Sequence, residues 1–196
     1  MFEIELAQKG GAPLFRPFHI LKAMWHLQVS GTMGRKELSE RLSIGEGSTR
    51  KLLSYLEEKE WARSTRQGIS LIQGGCELLD EIGFAASEVQ AGELTVGDHD
   101  FAIRLRGVSS IVEKGIEQRD EAMKAGASGA STLLLMNGLH FSDGYDASSV
   151  DQDACRHVIE SFSLKEGDVI IIGSSFDADS SKDGAFAAAV LTLNKM

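Results

Sequence analysis

Eight side chains between Gly34 and Arg66 carry groups with which a protein reads a nucleic acid: Arg35, Lys36, Glu46, Ser48, Arg50, Lys51, Arg63 and Arg66. Arginine and lysine donate to phosphate oxygens and to the guanine edge, a serine hydroxyl donates or accepts, and a carboxylate accepts from a cytosine amino group. The spacing predicts elements that would present them together. In GRKELSERLSIGEGSTRKLLSYLEEKEW, Leu38 and Leu42 share one face of a first helix, while Leu52, Leu53 and Leu56 repeat at helical spacing in a second. Ser43-Ile44-Gly45 makes the turn, with Ile44 anchored in the core and Gly45 at the N-cap. Glu46, Gly47, Ser48, Arg50 and Lys51 then face out of the second helix, where a recognition helix meets the major groove.

The neighbouring segments extend the pattern. After Trp61, ARSTRQGISLIQGG reads as a hairpin turning at Gln67-Gly68, with Arg63 and Arg66 near a basic tip suited to a phosphate backbone. Upstream, Phe18, Leu21, Met24, Trp25 and Val29 repeat at helical spacing after Arg16-Pro17, where proline suits a first helical turn. Cys76, Leu79, Ile82 and Gly83 form a further helix stripe, on which two copies of the chain could pair.

Candidates for other chemistry lie further along. His140, Asp143, Asp146, Asp151, Asp153 and His157 are ligand types for a divalent metal. Asp143-Gly144 reads as a turn, Asp151 as an N-cap and His157 as a helical residue, so neither a metal site nor a cofactor is expected. No phosphate loop with its lysine, no G-x-S-x-G elbow and no HExxH occurs, and neither a catalytic residue nor an enzyme is expected. A ligand site is more plausible. Ser174 and Ser175 follow an apolar strand beside a helix start, a geometry that small anions favour, although Asp177, Asp179 and Asp183 favour a cationic group or capping instead. Glu117, Arg119 and Asp120 form the second ligand-binding candidate, and Arg119-Asp120 could pair across a dimer.

At 196 residues and 42% hydrophobic content, the chain can bury two small cores. Residues 16 to 70 hold ten Lys and Arg against six Asp and Glu, a balance of about +4. Residues 91 to 196 hold nine against seventeen, about −8, so the net charge of −9 conceals a polar division. No apolar run spans a bilayer, and MFEIELAQKGG has acids where a signal peptide has basic residues, which predicts a cytoplasmic protein without a membrane partner. Cys76 and Cys155 lack metal-ligand spacing and read as buried free thiols.

The composition predicts residues 1–85 as a first domain, 86–98 as a linker and 99–196 as a second domain. Within the second, His99–Gly107 alternates as a strand, and VEKGIEQRDEAMKAG, from Val112, reads as a helix ending at Gly126. Thr132–Met136 and Leu139–Phe141 flank the turn Asn137-Gly138, and Asp151 caps a helix through Phe162. Asp168–Gly173 is apolar enough to be a central strand, and Asp183–Leu193 is a closely packing alanine-rich helix.

Over roughly residues 14 to 85, the order helix, helix-turn-helix, hairpin resembles the winged helix-turn-helix regulators of bacteria and archaea. The chain departs from them at Glu60, where a glycine usually ends the recognition helix, and at Glu46, where a basic residue is common. Most of the chain, through GIEQRDEAMKAGASGASTLLLMNG, DVIIIGSS and DGAFAAAVLTL, resembles an uncharacterised archaeal family with an N-terminal winged helix-turn-helix domain and a C-terminal GAD-like domain. The resemblance implies an α+β chain whose second part is a two-layer α/β sandwich of the GAD/DCoH-like kind. That fold also occurs as an inserted domain in aspartyl-tRNA synthetases and in a subunit of the tRNA-dependent amidotransferase, as an accessory without chemistry of its own. The expected function is a sequence-specific DNA-binding transcriptional regulator, with double-stranded DNA and a small-molecule effector as partners and a homodimer as the assembly. The alternative is a non-catalytic interaction module in translation or RNA metabolism.

Overall fold

A computed structural model describes residues 15–196, so the reading of the amino-terminal segment 1–11 lies outside the described residues. The chain is α+β, about 48% helix and 21% strand, with a helical N-terminal region and a C-terminal sheet. It divides at Ile82 into two compact units.

The N-terminal unit runs α1 (Phe18–Ser30), α2 (Arg35–Arg41), α3 (Glu46–Glu58), β1 (Ala62–Thr65), β2 (Gly68–Leu71) and α4 (Gln73–Glu81). Pro17 sits at the N-cap of α1, where its missing N–H costs nothing. Phe18, Leu21 and Met24 are buried as expected, but Val29, in the last turn of α1, is 70% exposed and leaves the core stripe. Leu38 of α2 and Leu52, Leu53 and Leu56 of α3 enter the core, and Leu42 follows them from the turn. Ile44, expected as a core anchor, is only partly buried. β1 and β2 pair antiparallel about the two-residue turn Arg66-Gln67, and Met33 exchanges both backbone hydrogen bonds with Ile69, at 2.9 and 2.8 Å, adding a third short rung beside β2.

Both helices of the α2–α3 pair end in the same way, and neither uses glycine. Ser43 and Glu60 adopt left-handed backbone, at φ 53° and 57°. After α2, the Ser43 N–H reaches Glu40 O and the Ile44 N–H reaches Ser39 O; after α3, the Glu60 N–H reaches Glu57 O and the Trp61 N–H reaches Leu56 O. Each set satisfies two carbonyls that the helix end would leave open. Trp61 then stacks edge-on to Tyr55 at 5.9 Å, the apolar contact that accompanies such an end. The family pattern expects glycine at Glu60, and the backbone there does take the glycine-favouring conformation.

The C-terminal unit comprises β3 (Ala85–Val89), β4 (His99–Leu105), α5 (Ile116–Lys124), β5 (Gly129–Leu135), β6 (Leu139–Phe141), α6 (Gln152–Phe162), β7 (Val169–Ser175) and α7 (Ala178–Leu193). The strands order as β3-β4-β7-β5-β6, and every neighbouring pair is antiparallel. β7 is central, and all seven of its residues are buried, as its apolar composition predicts.

Three expectations are corrected here. Residues 85–89, placed in and beside a linker, form edge strand β3: Ala85 to Val89 pair with Arg104 to Asp100 of β4, and Val89 joins the core. A partly polar edge strand has little apolar signal, which is why composition read it as a connector. The sheet is also covered on both faces, where a two-layer sandwich predicts one. Ile170 and Ile172 pack into a core with Ala154, Val158 and Phe162 of α6. On the opposite face a Cβ at Gly173 would come within 2.5 Å of Ala185 N and overlap the Ser181 carbonyl oxygen, so glycine lets the α7 backbone lie directly on the strand. Finally, α5 begins only after Gly115, leaving Val112 buried in the loop before it, and α7 begins five residues ahead of Asp183, at Ala178.

Candidate nucleic-acid interface

The α2–α3 turn decides which way the charged side chains of α3 point. Gly45 takes an extended conformation at the N-cap, and Thr49, one turn on, is buried with its hydroxyl donating to Gly45 O at 3.2 Å. With Thr49, Leu52, Leu53 and Leu56 inward, the 3.6-residue period leaves Glu46, Gly47, Arg50 and Lys51 exposed and Ser48 half-buried.

Glu46 has a partner. Its carboxylate lies 3.9 Å from the Arg35 guanidinium at the start of α2, both side chains about half exposed, at 55% and 50%. An ion pair so exposed is worth less than about 1 kcal/mol, so it can open when a stronger partner arrives. Lys36 lies 3.9 Å from Glu40, and Arg41 pairs with Glu37 at 3.0 Å, both along α2. Arg50, Arg63 and Arg66 are exposed and make no ion pair among the described residues.

The hairpin is tied to α3 by one hydrogen bond, from Ser64 N–H to the Glu57 carboxylate at 2.9 Å. Thr65 fixes the tip: its hydroxyl donates to Gly68 O and accepts from Gln67 N, each at 3.1 Å, which holds Arg66 in the turn. Between α3 and the hairpin lies a groove of about 250 Å³ lined by Arg35, Arg50, Ser54, Ser64 and Thr65, among others. Ser54, Ser64 and Thr65 were not singled out from sequence; the signal for Ser54 is its place one turn after Arg50, where its hydroxyl donates to Arg50 O at 3.1 Å. The arrangement can present two guanidinium groups and several hydroxyls to a row of oxygens.

The ligand candidates of the C-terminal unit do not meet. Glu117 pairs with Lys195, and Arg119 pairs with Asp120 at 3.0 Å within the chain, all on the exposed side of α5. Ser174 and Ser175 are not in a loop but inside β7, where the strand continues to pair with Asp100 and His99 of β4. Both are buried; Gly97 N donates to Ser174 Oγ at 2.8 Å, and Ser175 Oγ lies 3.4 Å from Ser128 Oγ. The helix beyond is capped by Asp177, which accepts from Ser180 N at 2.8 Å.

The acids between 140 and 157 hold backbone. Asp143 accepts from Tyr145 N at 3.1 Å, Asp146 from the N–H and hydroxyl of Ser148, and Asp151 from Ala154 N at 2.9 Å and Glu93 N at 3.3 Å. These hydrogen bonds hold the carboxyls of Asp146 and Asp151 below the ordinary carboxylate range. Asp153 pairs with Arg156 at 3.1 Å, and no three His, Cys, Asp or Glu side chains among the described residues gather as a metal site would require. Asp168 went unnoticed in the sequence beyond its place at a strand start. It is 1% exposed, accepts from Lys165 N at 2.9 Å and Gly107 N at 3.3 Å, and lies 4.0 Å from the Arg106 guanidinium.

The cysteines separate. Cys155 is buried, and its thiol is pushed up to about 11, by burial first and then by Asp151 and Asp146. Cys76, expected inside, is exposed, because α4 turns Gly75, Leu78 and Leu79 inward. Two members of the proposed pairing stripe, Leu79 of α4 and Ile82 just beyond it, are each 1% exposed.

Residues 96–193 match the family model of a domain of unknown function, DUF4443, and residues 24–77 match the PH0730-like N-terminal domain. The chain belongs to the DUF4443 family. A similar solved structure is the hypothetical protein PH0730 from Pyrococcus horikoshii OT3, 26% identical, with a TM-score of 0.70 over 92% of this chain and 94% of that one. No curated protein matches the chain. The expectation of an archaeal family without an assigned role is met at this level. No helix among the described residues is long and apolar enough to cross a membrane.

Proposed function

We propose that the chain is a sequence-specific DNA-binding transcriptional regulator. Its N-terminal unit acts as a winged helix-turn-helix, and its acidic C-terminal unit senses a small molecule or joins two copies. The observation that carries this reading is the start of α3, which exposes Arg50 and Lys51, with Arg50 lining a groove whose other wall is the β1–β2 hairpin. The order of α1, α2, α3 and hairpin, with Met33 bridged to β2, supports the winged arrangement. Within it, α3 enters the major groove while Arg63 and Arg66 lie along phosphates. Glu46 is released from Arg35 to accept from a base, or stays paired and leaves Arg35 to position it.

Control works through occupancy. A ligand on the C-terminal unit alters DNA affinity only by binding two conformations, or two dimer geometries, unequally. The interaction-module alternative comes from where GAD-like domains otherwise occur, and α6 gives the sheet here a further layer on its second face. Selection of bound duplexes from genomic DNA, with and without cell metabolites, tests the proposal. The expected result is one enriched sequence class; a featureless selection contradicts it.

A further inference from the structure

The start of α5 carries a cavity that the proposed function leaves unused. Gly115 is the N-cap in left-handed conformation, with φ 68°, and no side chain caps the helix. The first hydrogen bond of the nine-residue helix runs from Arg119 N to Gly115 O, so the N–H groups ahead of it point outward to whatever lies there. What lies there is a hollow of about 170 Å³, lined by Lys114, Gly115, Arg119, Thr132, Ser142 and Asp143 among others.

A second observation points to an occupant. Thr132 is only 4% exposed, and its hydroxyl, buried, has no hydrogen-bond partner among the described residues. A buried hydroxyl without a partner is costly and is normally satisfied by a ligand or water. Thr132 projects from β5 toward the Gly115 turn: a Cβ on Gly115 would meet the Thr132 Cβ at 3.3 Å and overlap Ser142 Oγ. The absent side chain keeps the backbone amides open to the hollow. Three elements therefore line the hollow with groups that can donate, namely the start of α5, Thr132 from the sheet and Ser142 from the loop after β6. Lys114, exposed and without an ion pair among the described residues, adds positive charge; Arg119 also lines the hollow but is paired with Asp120, and Asp143, the carboxylate of the lining, accepts from Tyr145 N. The helix is tied to α7, because Gln118 on its inner face donates to Thr192 at 3.1 Å, both side chains buried.

We infer that this hollow binds the phosphoryl group of a small molecule. Donors offered from three elements suit a tetrahedral oxyanion, and a helix start beside Lys114 favours negative charge. The inference rests on reading the C-terminal unit as the sensing half of the regulator, but it is tested on the full chain without DNA, so its failure and the failure of DNA binding are read separately.

The probe is inorganic phosphate, titrated into the full chain in phosphate-free buffer and followed by amide shifts at Gly115, Ile116 and Thr132. Saturable binding is expected, competed by sulfate and not by malonate. Lys114→Glu should weaken it roughly tenfold or more, and Thr132→Val, which keeps the shape, roughly fivefold without lowering the melting temperature. Should Lys114→Glu fail to fold, Thr132→Val carries the test alone. No saturable shift at these amides, equal binding of malonate, or unchanged affinity in Thr132→Val overturns the inference.

Discussion

The two units of this chain use charge in opposite ways. In the N-terminal unit, Arg50, Arg63 and Arg66 stand exposed without ion pairs among the described residues, and the basic excess between residues 16 and 70 is about +4. In the C-terminal unit several acids are bound to backbone N–H groups instead: Asp146, Asp151 and Asp177 cap helices, and Asp168 anchors two loops. Counts of charge therefore say little until the partner of each group is known. Charge displayed to solvent is available for a partner, whereas charge bound to N–H groups is already part of the fold.

The sharpest way to break this contrast is inside the sheet. Gly173→Val would drive two methyl groups into the backbone of α7, and we expect a loss of about 3 kcal/mol or more in chemical denaturation followed by circular dichroism. Tryptophan fluorescence should respond less, since Trp25 and Trp61 both lie in the N-terminal unit. A tolerated valine would mean that α7 does not lie on β7 as described.

Next in size is the hairpin, with Arg63 in β1 and Arg66 in the turn. Replacing Arg63 and Arg66 with alanine should weaken duplex binding about tenfold, equally for preferred and unrelated sequences, as expected for phosphate contacts. A change confined to the preferred sequence would place the hairpin on bases instead. Smaller again, Glu60→Gly should stabilise the protein by about 1 kcal/mol in thermal or chemical unfolding, by relieving left-handed strain at φ 57°. Destabilisation there would show that the Glu60 side chain contributes more than its backbone costs.

The smallest effect concerns the caps. The carboxyl of Asp151 is held below the usual range by the N–H groups of Ala154 and Glu93, so its contribution is full above the ordinary carboxylate pKa and fades as pH falls through the lowered native value. Asp151→Asn should lower the melting temperature at pH 7, and the gap from the parent protein should close toward pH 3. A gap independent of pH would rule out the charged cap as its source.

Much of this arrangement was legible in the residues, and the failures share a cause. Periodicity located α1 and α3, an unbroken apolar run located β7 because it is buried on both faces, and Asn137-Gly138 marked the β5–β6 turn through local chemistry, Asn137 and Gly138 both at positive φ. β3 was missed because an edge strand needs little apolar surface. Ser174 and Ser175 were misplaced because two small polar residues look like a loop unless the strands pairing them on either side are known. The donors at the exposed face of α3 were legible from helical phase alone, but the pairing of Glu46 with Arg35 depends on how α2 meets α3, which no local pattern encodes.

The central claim is that Arg50 and Lys51 meet a DNA backbone or base edge from α3. Its most direct test is the dependence of duplex affinity on salt for the parent protein and for the double variant Arg50→Ala, Lys51→Ala. The account predicts a folded variant whose binding is weaker and whose slope of log affinity against log salt is shallower by about 2, because two cationic groups no longer displace counterions from the duplex. An unchanged slope and affinity would contradict it.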